Sequence, residues 1–144
     1  MSEQNKAIAT RFFAELCNRR NLAVADELFA AGHTYEDPAS PGVGTGPGGM
    51  KEFLSIYHRG YPDSHWTIDQ MYAVDDTVIT LWTGRGTQNG ELSGIAPTGK
   101  SAVVKGVWIH RFADGKIAQS INVWDALGML RQLGVVPEMA MAVA

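Results

Sequence analysis

The sequence predicts an α+β fold in which helices gather on one face of a curved antiparallel sheet. Two observations predict it. Apolar residues before Pro62 follow mostly helical spacing, whereas period-two alternation dominates after it. Chains that place helices first and strands afterwards usually segregate the helices to one face of an antiparallel sheet. A strongly curved sheet closed by N-terminal helices leaves a cone-shaped cavity, and small ligands favour such concave, apolar spaces.

Three helices are predicted ahead of the strands, each from apolar residues at helical spacing. The first runs from Glu3 to Leu16, the second from Ala23 to Phe29 and the third from Gly48 to Tyr57. Between the second and the third, residues 33–38 (H-T-Y-E-D-P) form a short extended piece. Pro38 stops this piece, because proline cannot donate a hydrogen bond to a sheet. A loop rich in glycine and proline then leads to the third helix.

Four strands follow the third helix, where apolar and polar residues alternate. They are predicted at Trp66–Tyr72, Val78–Arg85, Val103–Phe112 and Lys116–Trp124. The last two are joined by a tight turn, Ala113-Asp114-Gly115. An Asp-Gly pair between two alternating runs is one of the stronger hairpin signals, so these two strands are expected to be neighbours.

A short helix, Ala126–Leu133, ends the pattern and is stopped by Gly134 at a C′-like position. Asp125 precedes this helix, where its side chain suits the free N–H groups of Leu127 or Gly128. We therefore interpret Asp125 as the N-cap of the last helix rather than as a catalytic group.

Length, composition and charge narrow the classes of function. The 144 residues suit one globular domain, residues 1–144, with 45% hydrophobic and 19% charged residues. A net charge of −3 without a Lys/Arg cluster argues against nucleic-acid binding.

The single cysteine, Cys17, predicts a buried, reduced thiol with no metal-ligand spacing around it. Neither a secretory leader nor a membrane span stands out, so we expect a cytoplasmic protein without a metal site.

Four short motifs carry a family resemblance. They are Y-E-D-P (Tyr35–Pro38), G-I-A-P-T-G-K (Gly94–Lys100), R-F-A-D-G-K-I (Arg111–Ile117) and D-A-L-G-M-L-R-Q-L-G (Asp125–Gly134). Together with the order of elements, they resemble the SnoaL-like polyketide cyclases of the NTF2-like cone-fold superfamily. The resemblance implies an α+β barrel, a homodimer formed through the outer sheet face, no cofactor and a small polyketide-type substrate. The best-known members close rings by an intramolecular aldol reaction.

The chain departs from the aldol-type cyclases at three polar positions of their site. Matching the last motif and the preceding hairpin places their acid/base aspartate at Asn122, their histidine at Trp108 and a glutamine at Gly106. An aldol reaction needs a group that removes a proton beside a carbonyl. An amide cannot do so at neutral pH, although it donates and accepts hydrogen bonds. We interpret Asn122 as a substrate-contacting catalytic position; an amide satisfied by backbone or water is the alternative.

Strand alternation predicts which residues share the cavity face with Asn122, because residues two apart lie on one face. The residues expected on that face, along the strand and across the hairpin, are Ala118, Ser120, Trp124, Gly106, Trp108, His110 and Phe112. The residues expected on the opposite face, available for dimer packing, are Ile117, Ile121 and Val123.

Two groups remain for acid/base chemistry. Asp37 lies in the extended piece, where the aldol cyclases carry a polar cavity residue, and His110 is the second choice. A structural interpretation stays open for both. Asp37 is then a turn residue that caps the backbone before Pro38, and His110 is a core or surface histidine held by hydrogen bonds.

An apolar, aromatic pocket is predicted around Asn122. The residues expected to bind substrate there are Trp108, Ser120, Trp66, Gln70, Tyr72, Phe12, Leu16 and Trp82. Plain core packing is the alternative for the tryptophans. The placement of Trp66 rests on alternation, which a one-residue slip would reverse. Residues 94–100 are interpreted as a loop at the cavity mouth, either a gate or a simple connection.

These observations favour a cofactor-independent cyclase of polyketide biosynthesis, for example of antibiotic biosynthesis. Because Asn122 replaces the aspartate, the expected chemistry is ring closure by substrate folding and hydrogen-bond activation, for example a [4+2] cycloaddition. An aldol-type cyclase or an isomerase that uses Asp37 or His110 is the alternative. A non-catalytic protein that binds a small apolar ligand is the alternative from another class.

Overall fold

The computed structural model describes residues 2–137 and contains one curved, open sheet of five strands. In chain order these are β1 (Phe29–Glu36), β2 (His65–Val74), β3 (Thr77–Thr87), β4 (Ser101–Ala113) and β5 (Lys116–Trp124). Their order across the sheet is β1-β5-β4-β3-β2. The predicted α+β fold is confirmed, with one correction: β1 pairs in parallel with β5, so the sheet is mixed rather than wholly antiparallel.

The first helix, α1 (Ser2–Arg11), continues directly as a π-helical segment, Phe12–Asn18. At its end, the N–H of Arg19 bonds to the carbonyl of Ala14, five residues back. This wider winding turns two adjacent pairs of side chains inward. The four buried residues are Phe12, Phe13, Leu16 and Cys17.

The second helix is shorter than its sequence pattern indicates. A 3₁₀ turn, Leu22–Val24, leads into α2 (Ala25–Leu28). Phe29 was expected in this helix, but its φ of −103° and ψ of 139° are extended, and it begins β1 instead. Phe29 pairs with Ile117 of β5, a contact between distant parts of the chain that local periodicity does not contain.

The third helix, α3 (Gly46–Gly60), is longer than predicted at both ends and lies against β1. Gly46 permits the close approach: it has a φ of +74°, and a Cβ there would lie 2.8 Å from the carbonyl oxygen of Ala31. Pro47 occupies the first turn, where a missing N–H has no cost. The large buried side chains of this helix are Met50, Phe53 and Leu54.

The last helix, α4 (Ala126–Gln132), is capped at its first turn and bonded to β4 at its end. Asp125 Oδ1 accepts a 2.9 Å hydrogen bond from the N–H of Gly128, so the predicted N-cap is confirmed. At the other end, the Gln132 amide accepts from the N–H of Val103 and donates to its carbonyl. These two bonds hold α4 over the end of the sheet.

The inner face of the sheet is the face that the helices cover. Two β-bulges determine which residues lie on it. On β2, Ile68 pairs with Trp82 of β3 but Gln70 pairs with Leu81, so Asp69 is the extra residue. Because a bulge adds one residue to a strand, strict alternation counted through the bulge predicts the wrong face for the residues beyond it. Gln70 and Tyr72 are therefore exposed on the outer face, and their predicted place in the cavity is wrong.

The second bulge lies on β5, opposite the junction of Arg111 and Phe112. Arg111 pairs with Gln119 and Phe112 with Ile117, which leaves Ala118 as the extra residue. Ile117 is therefore fully buried in the core, and its predicted place on the outer face is wrong.

Beyond the second bulge, the alternation of β5 holds. Ser120 and Asn122 are buried, whereas Val123 is 54% exposed on the outer face, as predicted. Among residues 2–137, no helix is long and apolar enough to cross a membrane.

Candidate active site

A cavity lies between the inner face of the sheet, the π-helical segment, α3 and α4. The space that it encloses is about 600 Å³ when the open mouth and the solvent in it are included. Most of its lining is apolar. All four tryptophans of the chain lie on this wall: Trp66, Trp82, Trp108 and Trp124.

Two glycines make room for the indole rings. Gly106 pairs with Trp82 on one side and Trp124 on the other, and a Cβ at Gly106 would lie 2.5 Å from Cζ2 of Trp82. Gly84 pairs with Trp66, and a Cβ there would lie 3.2 Å from Nε1 of Trp66. The place where aldol cyclases carry a glutamine is thus filled by the Trp82 ring.

Asn122 lies on the cavity wall and anchors a hydrogen-bond relay that reaches back to β1. Its Nδ2 donates to the hydroxyl oxygen of Tyr35 (3.1 Å), which donates to Oδ2 of Asp37 (2.6 Å). The same Oδ2 accepts from Nε1 of Trp124 (3.1 Å), and Oδ1 accepts from the N–H of Ala39 (2.8 Å). The relay therefore joins β1 to the end of β5 and fixes the side chains of the wall.

Burial and the hydrogen bond to Asp37 both raise the pKa of Tyr35, so its hydroxyl stays protonated. Asp37 is buried, and three donors already occupy its two oxygens. It does not belong to the cavity wall. The bond from the N–H of Ala39 supports the structural interpretation of Asp37 as a backbone cap. Asp37 also fixes the side chains of Tyr35 and Trp124.

His110 is fully buried and stacks on Trp108, with ring centroids 5.2 Å apart and planes 17° apart. The ring of Phe12 meets it edge-on at 5.0 Å. Burial, and secondarily the neighbouring His33, lower the pKa of His110 to about 3, so the ring is neutral. Neither ring nitrogen has a partner among the described residues, and His110 is not part of the cavity wall.

Ser120 was expected to bind substrate, but its hydroxyl lies 2.8 Å from Nε2 of His33 and away from the cavity wall. Burial lowers the pKa of His33 to about 4. The sequence pattern assigned nothing to His33. The signal was present, however, because His33 and Tyr35 are two residues apart on β1, Asp37 follows directly after the strand at the same spacing, and none of the three is exposed.

Phe12 and Leu16 were expected on the wall, and the structure corrects both. They are fully buried among other core side chains, and Phe12 meets the ring of Trp108 edge-on at 4.9 Å. Cys17 lines the cavity from the π-helical segment instead. The wide winding of that segment, which sequence periodicity does not reveal, changes which side chain reaches the cavity.

The ionisable side chains on the wall are Cys17, Tyr57, Tyr61 and Arg85. Burial raises the pKa of the Cys17 thiol and of Tyr57, and it raises the pKa of Tyr61 to about 12. All three groups therefore keep their protons at neutral pH, and a guanidinium offers donors only. The wall can donate hydrogen bonds and enclose an apolar body, but none of these groups accepts a proton.

The loop of residues 94–100 does not line this cavity. It is held by Gln88, whose fully buried amide donates to the carbonyls of Gly90, Ile95 and Ala96 and accepts from the N–H of Thr98. Among residues 2–137, no three His, Cys, Asp or Glu side chains gather as metal ligands would.

Comparison with known proteins agrees with this architecture. TsrD from Streptomyces laurentii has 25% identity and a TM-score of 0.84, over 94% of this chain and 98% of its own. IdmH from Streptomyces antibioticus, a candidate polyketide cyclase, has 25% identity and a TM-score of 0.79, over 91% and 99%. A candidate SnoaL-like polyketide cyclase from Jannaschia sp. CCS1 shares 21% identity with a TM-score of 0.85, over 94% and 95%, which supports the fold alone. No curated protein matches the chain.

The family model described as SnoaL-like polyketide cyclase matches residues 7–133. That span begins in α1 and ends directly after α4, so it includes every strand and every residue of the cavity wall. The chain belongs to the SnoaL-like polyketide cyclase family.

Proposed function

We propose that this protein closes a ring in an unsaturated polyketide-type substrate without a general base. The observation that supports the proposal is the cavity wall, on which Cys17, Tyr57 and Tyr61 all keep their protons at neutral pH. Where the aldol cyclases carry their base, Asn122 offers only hydrogen bonds. A [4+2] cycloaddition suits such a wall, because it converts three π bonds into two carbon–carbon σ bonds and one new π bond and transfers no proton.

Catalysis then comes from the shape of the cavity and from hydrogen bonding. Flat indole faces hold an extended polyene in a folded, near-attack arrangement, which removes part of the entropic barrier. A buried hydrogen-bond donor polarises a substrate carbonyl and makes the attached double bond more electrophilic. No cofactor enters this scheme.

The alternative is acid/base catalysis by Asp37 or His110. Both groups lie outside the wall: Asp37 is occupied by three donors, and His110 is stacked on Trp108. A substrate would have to displace Trp108 to reach His110. This is why the base-free scheme is preferred.

Turnover of linear polyene and polyketide precursors, followed by mass spectrometry and NMR, tests the proposal. We expect a cyclic isomer of unchanged mass and a kcat that is flat between about pH 6 and pH 9. An acid limb in kcat that disappears in Asp37→Asn or His110→Ala would restore the acid/base scheme. A protein that releases every ligand unchanged would be a carrier.

We further propose that two copies pair through the outer face of the sheet, as the family resemblance implies. That face exposes four large apolar side chains, each about half accessible: Tyr72, Val74, Val103 and Val123. Light scattering at several concentrations should give twice the chain mass, and Val123→Glu should reduce it to one chain. A wild-type monomer at all concentrations would contradict this.

A further inference from the structure

Three residues of the cavity wall each have a buried polar atom without a hydrogen-bond partner among the described residues. Two of these atoms are Oδ1 of Asn122 and Nε1 of Trp82. A buried polar group left unpaired destabilises the fold, so such atoms are expected to meet a partner from the ligand or from water. The hydroxyl of Tyr61 is a third such atom, but it can both donate and accept, so it imposes no choice.

The relay determines which atom of the Asn122 amide remains free. Asp37 accepts from Trp124 Nε1 and from the N–H of Ala39, two groups that can only donate. The hydroxyl hydrogen of Tyr35 also points to Asp37, so the Tyr35 oxygen can only accept from Asn122. Nδ2 therefore faces Tyr35, and the free atom is the acceptor, Oδ1.

The free atom of Trp82 is of the opposite kind, because an indole N–H can only donate. The Trp82 ring leans over Gly106: a Cβ there would lie 2.6 Å from Cε2, the carbon bonded to Nε1. Gly106 and Trp108 are two residues apart on β4, and Trp108 pairs with Asn122. The pair of Trp82 and Gly106, which carries the donor, and the pair of Trp108 and Asn122, which carries the acceptor, are therefore about 7 Å apart along the strands.

We propose that the substrate carries a hydroxyl and a carbonyl at opposite ends of a flat, unsaturated body. The hydroxyl donates to Oδ1 of Asn122, and the carbonyl accepts from Nε1 of Trp82. Asp37 and Tyr35 act as positioning residues, since they hold the amide with its oxygen towards the ligand. This inference rests on the proposed ring closure and names its substrate class: a hydroxylated, conjugated carbonyl compound, activated at the carbonyl by Trp82.

Three small probes test the inference by NMR titration of the intact protein. para-Hydroxyacetophenone carries both groups, para-methoxyacetophenone lacks the donor, and para-ethylphenol lacks the carbonyl. Each missing hydrogen bond is expected to weaken binding about tenfold, which corresponds to about 1.4 kcal/mol. Equal affinity for the three probes, or binding of none of them, would overturn the inference.

Variants assign each preference to its atom. Asn122→Leu should remove the preference for hydroxyl over methoxy, and Trp82→Phe should remove the preference for carbonyl over ethyl. Trp66→Phe, on the same wall, is the matched control and should lower the affinity for all three probes by the same factor. If Trp82→Phe also weakens all three by one factor, the donor role is wrong.

The positioning role of Tyr35 has its own readout. Tyr35→Phe removes the acceptor that holds Nδ2, so the amide can turn and the preference for hydroxyl over methoxy should shrink. A purely structural role would lower all affinities and leave that ratio unchanged, which would overturn the positioning role. Because the titration involves no turnover, its outcome is independent of whether ring closure proceeds without a base, which the pH profile of kcat tests separately.

Discussion

The indole of Trp82 lies so close to Gly106 that no residue with a Cβ fits at position 106 without moving the ring. A Cβ at Gly106 would be 2.5 Å from Trp82 Cζ2 and 2.6 Å from Trp124 Cβ. Gly106→Ala must therefore displace a rigid ring, which costs about 1–3 kcal/mol in other overpacked cores. Urea unfolding should show this loss of stability.

Gly32→Ala is the matched control for that change. Gly32 lies on a strand as well, and a Cβ there would meet nothing within 4 Å. We expect its free energy of unfolding to stay within about 0.5 kcal/mol of the wild type. Equal stability of the two variants would show that Trp82 adjusts freely, and it would weaken the assigned position of its N–H.

Acid should destabilise the fold through His33 and His110. Burial lowers the pKa of His33 to about 4 and of His110 to about 3, from an ordinary value of 6.5. Unfolding exposes both rings, so the unfolded state binds more protons below pH 6.5. Stability is therefore fully present above pH 6.5 and falls as the pH decreases towards 4, by up to about 1.4 kcal/mol per pH unit for each ring.

Urea unfolding at pH 7.5, 6 and 5 measures that slope. His110→Phe keeps an aromatic ring between Trp108 and Phe12 and should flatten the slope, because one titrating group is gone. His65→Gln, on the exposed end of β2, should leave it unchanged. A wild-type stability that does not change between pH 7.5 and 5 would contradict the burial of neutral imidazoles.

The bond from Tyr35 to Asp37 should be visible as coupling between two substitutions. Asp37→Asn cannot accept from all three of its present donors, and leaving one unpaired is expected to cost about 1–3 kcal/mol. Tyr35→Phe removes one donor, so the double variant should lose less than the sum. A coupling of about 0.5 kcal/mol or more is expected from thermal or urea unfolding, and strict additivity would argue against the relay.

Gln88 should control the order of the loop that follows β3. Gln88→Leu removes four hydrogen bonds to loop backbone groups. Amide hydrogen exchange should then accelerate at residues 89–99, with a loss of stability of about 1–3 kcal/mol. Asn89→Ala, next to it but exposed, should change neither measurement. Unchanged exchange in Gln88→Leu would mean that other contacts hold the loop.

Periodicity and turn chemistry predicted the strands and helices well, because these signals are local. The Asp-Gly turn after β4 and the Asp125 cap are examples, since each depends on a few neighbouring residues. The parallel pairing of β1 with β5 could not be predicted in the same way. It depends on contacts such as Phe29 with Ile117, which are far apart in the sequence.

The candidate site was predicted less well, and the reason is geometric. Alternation places Asn122 and Trp66 on the inner face, where they are found. It fails at Gln70 and Ile117, because each lies next to a bulge that adds one residue. On β2 the extra residue, Asp69, accepts a 2.6 Å hydrogen bond from Thr83 of β3, a partner fourteen positions away that no local pattern indicates.

The concentration of every tryptophan on one wall also gives the protein a built-in optical signal. All of its intrinsic indole fluorescence originates within the cavity lining. Any compound that enters should change the local polarity around several emitters at once, without a label or a coupled assay. A library of unlabelled polyenes and phenolic ketones can therefore be ranked directly by the colour and intensity of the protein's own emission.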